Sequence, residues 1–277
     1  VIHRSIIFAD IHVGSTSALW PPEQPLSGGG RYVLNKKQEF LLKWWGDATR
    51  QIRRLKPDVV VVLGDVIQGK STRDGQLVTN RSDIQRSAAF KLMSPIREKA
   101  HKFFMLRGTP WHEGKASEDS YDLAEMLHAE MCPETDERLF WELFLRLPGG
   151  SKPVLHFTHH IGATKVSWYE ATVPLRDTLM LLSELGRWYK KEAPDVRLTV
   201  RAHRHRCIGV FIAPDIQAWT VPAWQMKTAY AHQKAIVTLP HIGYLIVEWD
   251  GDDIVVKPRM RPVPPPNIVD FQLKGEE

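Results

Sequence analysis

Apolar and polar residues alternate along the chain in two rhythms, short apolar runs and stretches of helical spacing. Residues 2–9 form a largely apolar run that ends at Asp10, and an irregular loop with Pro21, Pro22, Pro25 and Gly28 to Gly30 follows. This reads as a strand opening into a long loop. From Lys36 to Leu55 the residues Phe40, Leu41, Trp44, Trp45, Ala48 and Ile52 recur at the spacing that gives a helix one apolar face. Pro57 ends that helix before a strand over 58–63, which makes a β-α-β unit. The order returns with a helix from about Ser82, ended or kinked near Pro95, and a strand over 101–106, which favours a parallel sheet covered by helices. Val154–Phe157 and 196–200 read as further strands, with an amphipathic helix over about 175–190 between them. Near the C-terminus, 242–249 and 254–257 flank Asp250, Gly251 and Asp252 as hairpin arms do, which predicts a second, more antiparallel sheet. Pro262 and Pro264 to Pro266 bias the remaining backbone to polyproline geometry. A single domain over 1–260 with a Pro-rich tail over 261–277 is expected, and no internal repeat is found.

Composition narrows the class. With 43% hydrophobic and 25% charged residues over 277 positions, the chain can bury a sizeable core and sits near the upper size of one α/β domain. Cys132 and Cys207 are too few and too far apart for a disulfide framework or a thiolate zinc site. No stretch approaches the roughly 20 apolar residues of a membrane span, and the first residues lack a signal-peptide core. A soluble, cytoplasmic protein with no membrane partner is therefore expected. The net charge of +5 leans toward anionic ligands, phosphate or nucleic acid, although the basic residues are dispersed among acidic ones. The oligomeric state is not legible.

The chemistry gathers at strand ends. Asp10-Ile11-His12 follows the first strand, and if the backbone stays extended both side chains point the same way. VVVVLGD delivers Asp65 just past Gly64, and later strands lead to Thr158-His159-His160 and to Ala202-His203-Arg204-His205. Open α/β sheets bind ligands outside the carboxyl ends of their strands, so these distant residues can meet. Carboxylates with imidazoles suit Mn, Fe, Zn or similar divalent metals.

Each piece alone is weak, and their order carries the weight. Asp-x-His, Gly-Asp, a glycine followed by His-Glu, His-His and His-x-His, each at a strand end, together resemble the calcineurin-like metallophosphoesterase family over residues 2–205. The resemblance implies a two-sheet α/β/β/α sandwich flanked by helices, and hydrolysis of a phosphate ester with two divalent cations. Carried over by position, Asp10, His12 and His205 would hold one metal, His159 and His203 the other, and Asp65 would bridge. His160 is the alternative to His159. The family's third motif, Gly-Asn-His-Asp or Gly-Asn-His-Glu, is altered here to Arg107-Gly108-Thr109-Pro110-Trp111-His112-Glu113, a variant that resembles virus-encoded or DNA-repair-like branches of the family. Thr109 stands where the asparagine ligand would be and offers a weak hydroxyl ligand, a water-mediated contact or none. His112 takes the part of the catalytic histidine, with Glu113 placed to orient its ring. Arg107, Arg204 and Lys165 are candidates to offset developing charge, and Trp20, Tyr32, Trp111, Trp168 and Tyr169 to stack on a base or an aryl group.

Other readings compete. Gly64 to Ser71 matches the phosphate-loop pattern G-x-x-x-x-G-K-[ST] of an NTPase, which requires a helix to open at Lys70. A nuclease of the same family and an inactive metal-binding scaffold are the remaining alternatives.

Overall fold

The computed structural model describes residues 1–70, 76–114, 117–148, 152–162, 169–234, 238–265 and 268. Its strands are β1 (His3–Phe8), β2 (Val59–Leu63), β3 (Lys102–Leu106), β4 (Leu143–Arg146), β5 (Val154–Phe157), β6 (Val196–Arg201), β7 (Ile208–Ala213), β8 (Ile216–Thr220), β9 (Ile242–Asp250) and β10 (Asp253–Arg261). The helices are α1 (Lys36–Leu55), α2 (Ser82–Arg97), α3 (Pro110–Glu113), α4 (Glu118–Met126), α5 (Thr172–Tyr189) and α6 (Ala229–Gln233). One sheet has the order β10-β9-β1-β2-β3, the other β4-β5-β6-β8-β7. In the first, β1, β2 and β3 run parallel; in the second, β5, β6 and β8 do, with antiparallel β4 and β7 at the edges.

Alternation along the strands divides the molecule into layers. Ile6 and Phe8 of β1, Val60 and Val62 of β2 and Phe103 and Met105 of β3 join the core beneath α1 and α2. Their neighbours Ile7, Val61, Leu63 and Leu106 join Leu155, Phe157, Leu198 and Val200 between the sheets. A strand buried on both faces has no polar side to show, which is why β2 reads as an unbroken VVVVL. On the far face of the second sheet, Leu185 of α5 packs with Val154 and Val196. The result is a four-layer α/β/β/α sandwich, the architecture that the resemblance implies. Each fully buried Leu or Val side chain contributes about 1.5–3 kcal/mol.

Local signals set the element ends. Asn35 Oδ1 accepts from the amides of Lys37 and Gln38 at 3.0 and 3.1 Å, while Gln38 Oε1 accepts from Asn35 N at 3.3 Å, closing a capping box at the start of α1. Lys56 takes a left-handed φ of 48° and Pro57 prevents continuation. Pro95 falls in the last turn of α2, and the helix stops two residues later at Arg97.

One expectation is corrected. The C-terminal hairpin does not begin a second sheet; β9 pairs antiparallel with β1 and extends the first. The reason lies in β9 itself, since Tyr244 and Ile246 are buried toward the helices and Leu245 and Val247 toward the other sheet. Such a strand needs cover on both faces. β10 alternates between half-buried and exposed positions and closes the edge, where Pro258 is tolerated. Past it, Val263 packs back on the helix-side core. No helix among the described residues is long and apolar enough to cross a membrane.

Candidate metal centre

The loops after β1, β2, β3, β5 and β6 meet at one edge of the sandwich. Asp10 and His12 follow β1, Asp65 follows β2, Thr109 and His112 follow β3, His159 follows β5, and His203 and His205 follow β6. Five of these residues have backbones in the left-handed region: Asp10 and His12 at φ 50°, Asp65 at 48°, His203 at 69° and His205 at 53°. Side chains other than glycine adopt it at a cost of about 1–3 kcal/mol each. The extended Asp10-x-His12 expected from alternation is thus corrected to two left-handed kinks. Hydrogen bonds from His12 N to Asp65 O at 3.0 Å and from Val13 N to Val66 O at 2.8 Å hold them.

The kinks aim the side chains inward. Asp10 Oδ1 lies 3.5 Å from His205 Nε2, 3.9 Å from His12 Nε2 and 4.0 Å from His159 Nε2. Its Oδ2 accepts from His203 N at 3.0 Å. Asp65 Oδ2 is 3.2 Å from His159 Nε2. The nitrogens His12 Nε2 and His205 Nε2 are 3.1 Å apart. Four sets of donor atoms converge within 4.8 Å: Asp10, His12 and His205; Asp10, Asp65 and His159; His159, His160 and His203; and His12, Asp65 and His112. All six residues expected to ligate therefore fall within these sets, with His112 beside them. Both His159 and His160 reach the cluster, His159 buried and His160 exposed.

A second layer of contacts fixes the donors. His159 Nδ1 donates to Leu63 O, and His112 Nδ1 donates to Gln68 O at 2.9 Å. Carbonyls only accept, so both rings keep Nε2 available for the cluster. Thr109 donates to Asp65 Oδ1 twice, from its amide at 2.7 Å and its hydroxyl at 3.0 Å. Glu113, fully buried, accepts from Asp65 N at 2.9 Å and from Gly108 N at 2.7 Å. It thereby holds the Asp65 loop, while the Gln68 carbonyl, not Glu113, orients His112. This corrects the role expected of Glu113. The closeness of the two loops explains Gly64, at φ +69°, where an added Cβ would stand 2.4 Å from Gly108 Cα.

Charge follows from crowding. Burial opposes ionisation of Asp10 and Asp65, but His205, His159 and His12 around the first and His159, His12 and His112 around the second outweigh it, and both carboxyls fall below their ordinary range. Burial likewise favours a neutral His159, yet Asp65 and Asp10 push its pKa up to about 10. His12, buried and facing His112 and His205, falls well below its usual value. Burial and then Asp65 push Glu113 up to about 7. Asp10 Oδ1 and His159 Nε2 are buried without a hydrogen-bond partner among the described residues; the 3.2 Å approach of His159 to Asp65 is too poorly aligned to be one. Stranded donors and acceptors of this kind cost about 1–3 kcal/mol or more each. Divalent cations of the Mn, Fe or Zn class fit this donor set.

Around the cluster some expectations are redirected. Arg107 turns away to pair with Glu137 and lies 4.6 Å over the Trp141 ring, away from the cluster. Arg204 does line the cleft beside the cluster. Trp20 is fully buried in the helix-side core and closed to stacking, Tyr32 is half-buried against that core, and Trp111 and Tyr169 are exposed. Lys165 and Trp168 lie outside the described residues. The phosphate-loop match is used otherwise: Asp65 joins the cluster, Ile67 pairs with Val13, and Gly69 N donates to Gln85 Oε1 at 2.8 Å. No helix begins within residues 64–70, and Ser71 lies outside the described residues. Sequence reasoning missed Gln68, Lys227 and Tyr230. Gln68 stood three residues past Asp65, but no motif marked Lys227 or Tyr230.

No family model matches the chain, and no curated protein matches it. Solved structures do. Vps29 of Chaetomium thermophilum is similar at 11% identity over 94% of this chain and 98% of its own, with a TM-score of 0.43. A dimetal phosphatase from Danio rerio is similar at 12% identity over 93% and 96%, with a TM-score of 0.49. A metallophosphoesterase from Sphaerobacter thermophilus is similar at 14% identity over 94% and 88%, with a TM-score of 0.40.

Proposed function

We propose that this chain is a dinuclear metal-dependent phosphoesterase, with residues 1–260 as its catalytic domain. One observation carries the reading: two buried carboxylates and the imidazoles around them, drawn from five loops, form four overlapping sets of three, the donor atoms of each set lying within 4.8 Å of one another, and Asp65 belongs to sets that include both His12 and His159. Asp10, His12 and His205 would hold one cation and His159 and His203 the other, with Asp65, whose carboxylate has two oxygens, shared between them. His160 could supplement the second set.

When bound, the two cations supply Lewis-acid polarisation of a phosphate ester and a water acidic enough to attack at neutral pH. The chain's own groups do the rest. Thr109 and Glu113 fix the carboxylate and the backbone of Asp65. His112, its ring centre 4.5 Å from that of His12 and its Nδ1 tied to Gln68, presents Nε2 to the cleft, where it can protonate the departing oxygen.

Metal analysis with turnover tests the reading. Purified protein should bind two divalent ions per chain and hydrolyse bis(p-nitrophenyl) phosphate with Mn, and Asp65→Ala should lose both the paired site and the activity. Full activity in Asp65→Ala, or two bound metals without turnover of any ester, would overturn it, the latter in favour of a metal-binding scaffold.

A further inference from the structure

The cluster opens to two sides of one residue. His112 lines a cleft of about 420 Å³ whose walls also include Arg204, Lys227 and Tyr230. It also lines a second cleft, of about 590 Å³, that holds Trp111 and Lys70. Tyr230 lines the first cleft and Trp111 the second, each 47% exposed, and Lys234 Nζ stands over one face of the Tyr230 ring at 5.8 Å from its centre. A phosphomonoester has a single substituent and could fill one cleft only.

The two clefts differ in charge. Asp65 is the one carboxylate among the residues of the first. There Arg206 is taken up by Glu170, Leu239 O and His241, but Arg204 uses a single N–H on Glu170 O at 3.2 Å. Lys227 has no hydrogen bond or ion pair among the described residues. Two cations with unused donors thus sit beside Tyr230. In the second cleft Lys70 is offset by Glu118 and Asp119, and Asp119 is itself paired with Arg86.

Building on the phosphoesterase reading, we infer that the substrate is a phosphodiester lying across His112 with a substituent in each cleft, the one in the first cleft carrying a planar ring and a further phosphate, as a single strand of nucleic acid does. A base stacks on Tyr230, and the flanking phosphate meets Arg204 and Lys227. The other substituent rests on Trp111, where the balanced charge asks for no additional phosphate. A duplex is excluded from this arrangement because its bases are stacked on each other and cannot reach an aromatic face.

The test compares kcat/KM for p-nitrophenyl phosphate, bis(p-nitrophenyl) phosphate and a short oligothymidylate with Mn, alongside binding of a fluorescein-labelled oligothymidylate in chelator. The strand should be the preferred substrate, with cleavage weakening as salt rises. Tyr230→Ala and Trp111→Ala should each lower the preference for the strand over bis(p-nitrophenyl) phosphate roughly 5- to 150-fold, the range of one base–aromatic stack. Tyr230→Phe should restore it, and Lys227→Gln should flatten the salt dependence. Equal turnover of monoester and diester, or a strand preference that survives both ring deletions in folded, metal-loaded variants, overturns the inference and leaves the phosphoesterase reading intact. If no ester is hydrolysed the phosphoesterase reading fails; strand binding that needs Tyr230 would then preserve the cleft assignment, and its absence would end both.

Discussion

Replacing Glu113 probes the contact that ties the two central loops together. Its carboxylate accepts from Asp65 N and Gly108 N, and hydrogen bonds to a charged group contribute about 1.5–3 kcal/mol each. Glu113→Ala strands both amides in the interior at about 1–3 kcal/mol each, so near pH 5 the chelated protein should lose about 2–6 kcal/mol of unfolding free energy, and less toward pH 8, where the wild-type carboxyl is ionised. Glu113→Gln is subtler. Burial and the nearby Asp65 raise the Glu113 pKa from 4.5 to about 7, which at 1.36 kcal/mol per unit makes the ionised form about 3 kcal/mol worse off in the folded protein than in water. A carboxyl whose folded pKa is raised binds more protons folded than unfolded between those values, so its contribution to stability falls as pH rises from about 4.5 to 7 and is flat beyond. Glutamine is a neutral isostere and carries no such slope. Urea unfolding in chelator should find Glu113→Gln less stable than wild type near pH 5 and closer to it, by about 3 kcal/mol, near pH 8. Parallel stability curves for the two proteins across that range, or a loss under about 1 kcal/mol in Glu113→Ala near pH 5, would refute the account.

Three further outcomes follow from the same geometry. His159, held protonated by Asp65 and Asp10 with a pKa of about 10, must lose that proton to ligate, so Mn affinity should climb about tenfold per pH unit from pH 7 toward 10. Calorimetry in buffers of different ionisation enthalpy should detect the released proton. Thr109→Val removes the hydroxyl bond to Asp65 but keeps the amide bond, and should cost about 0.5–1.5 kcal/mol in denaturation while loosening the metals only modestly on stepwise chelation. His112→Ala should lower kcat by about 10²- to 10⁴-fold with metal content unchanged, and by less for esters whose leaving group needs no proton.

Much of this architecture could be read in advance because burial writes itself into periodicity. The VVVVL of β2 and the spaced apolar face of α1 could hardly be other elements, and their strand-end residues Asp10, Asp65, His159, His203 and His205 did converge. The C-terminal hairpin was assigned to the wrong sheet because hairpin signals are local, whereas the pairing of β9 with β1 joins residues some 240 positions apart, such as Ser5 and Val247. Glu113 was misread for a related reason. Adjacency to His112 suggested a partner in sequence, but the one-turn helix α3 sends the two side chains to different places, one to the Gln68 carbonyl and the other to the amides beneath Asp65. Arg107 likewise follows its strand toward Glu137, a partner thirty residues on that no motif links to it.

The left-handed backbones join these levels. Five cluster residues at positive φ, at about 1–3 kcal/mol each, carry strain comparable with the net stability of a whole domain. Strain of that size persists only where surrounding structure over-determines it. Here the strands do so, since each kink begins one or two residues beyond a β-strand buried on both faces, and the kinked segments are pinned to one another by His12 N on Asp65 O, His203 N on Asp10 Oδ2 and Glu113 on Asp65 N. Glycine would ease every one of these backbones, yet it would remove the donor that the kink presents. The sequence keeps glycine beside the donors instead, at Gly64 and Gly108, where two loops approach too closely for a Cβ. The cost of the fold is thus concentrated at the atoms that would hold the cations, and the two-sheet core supplies the rigidity that keeps them there.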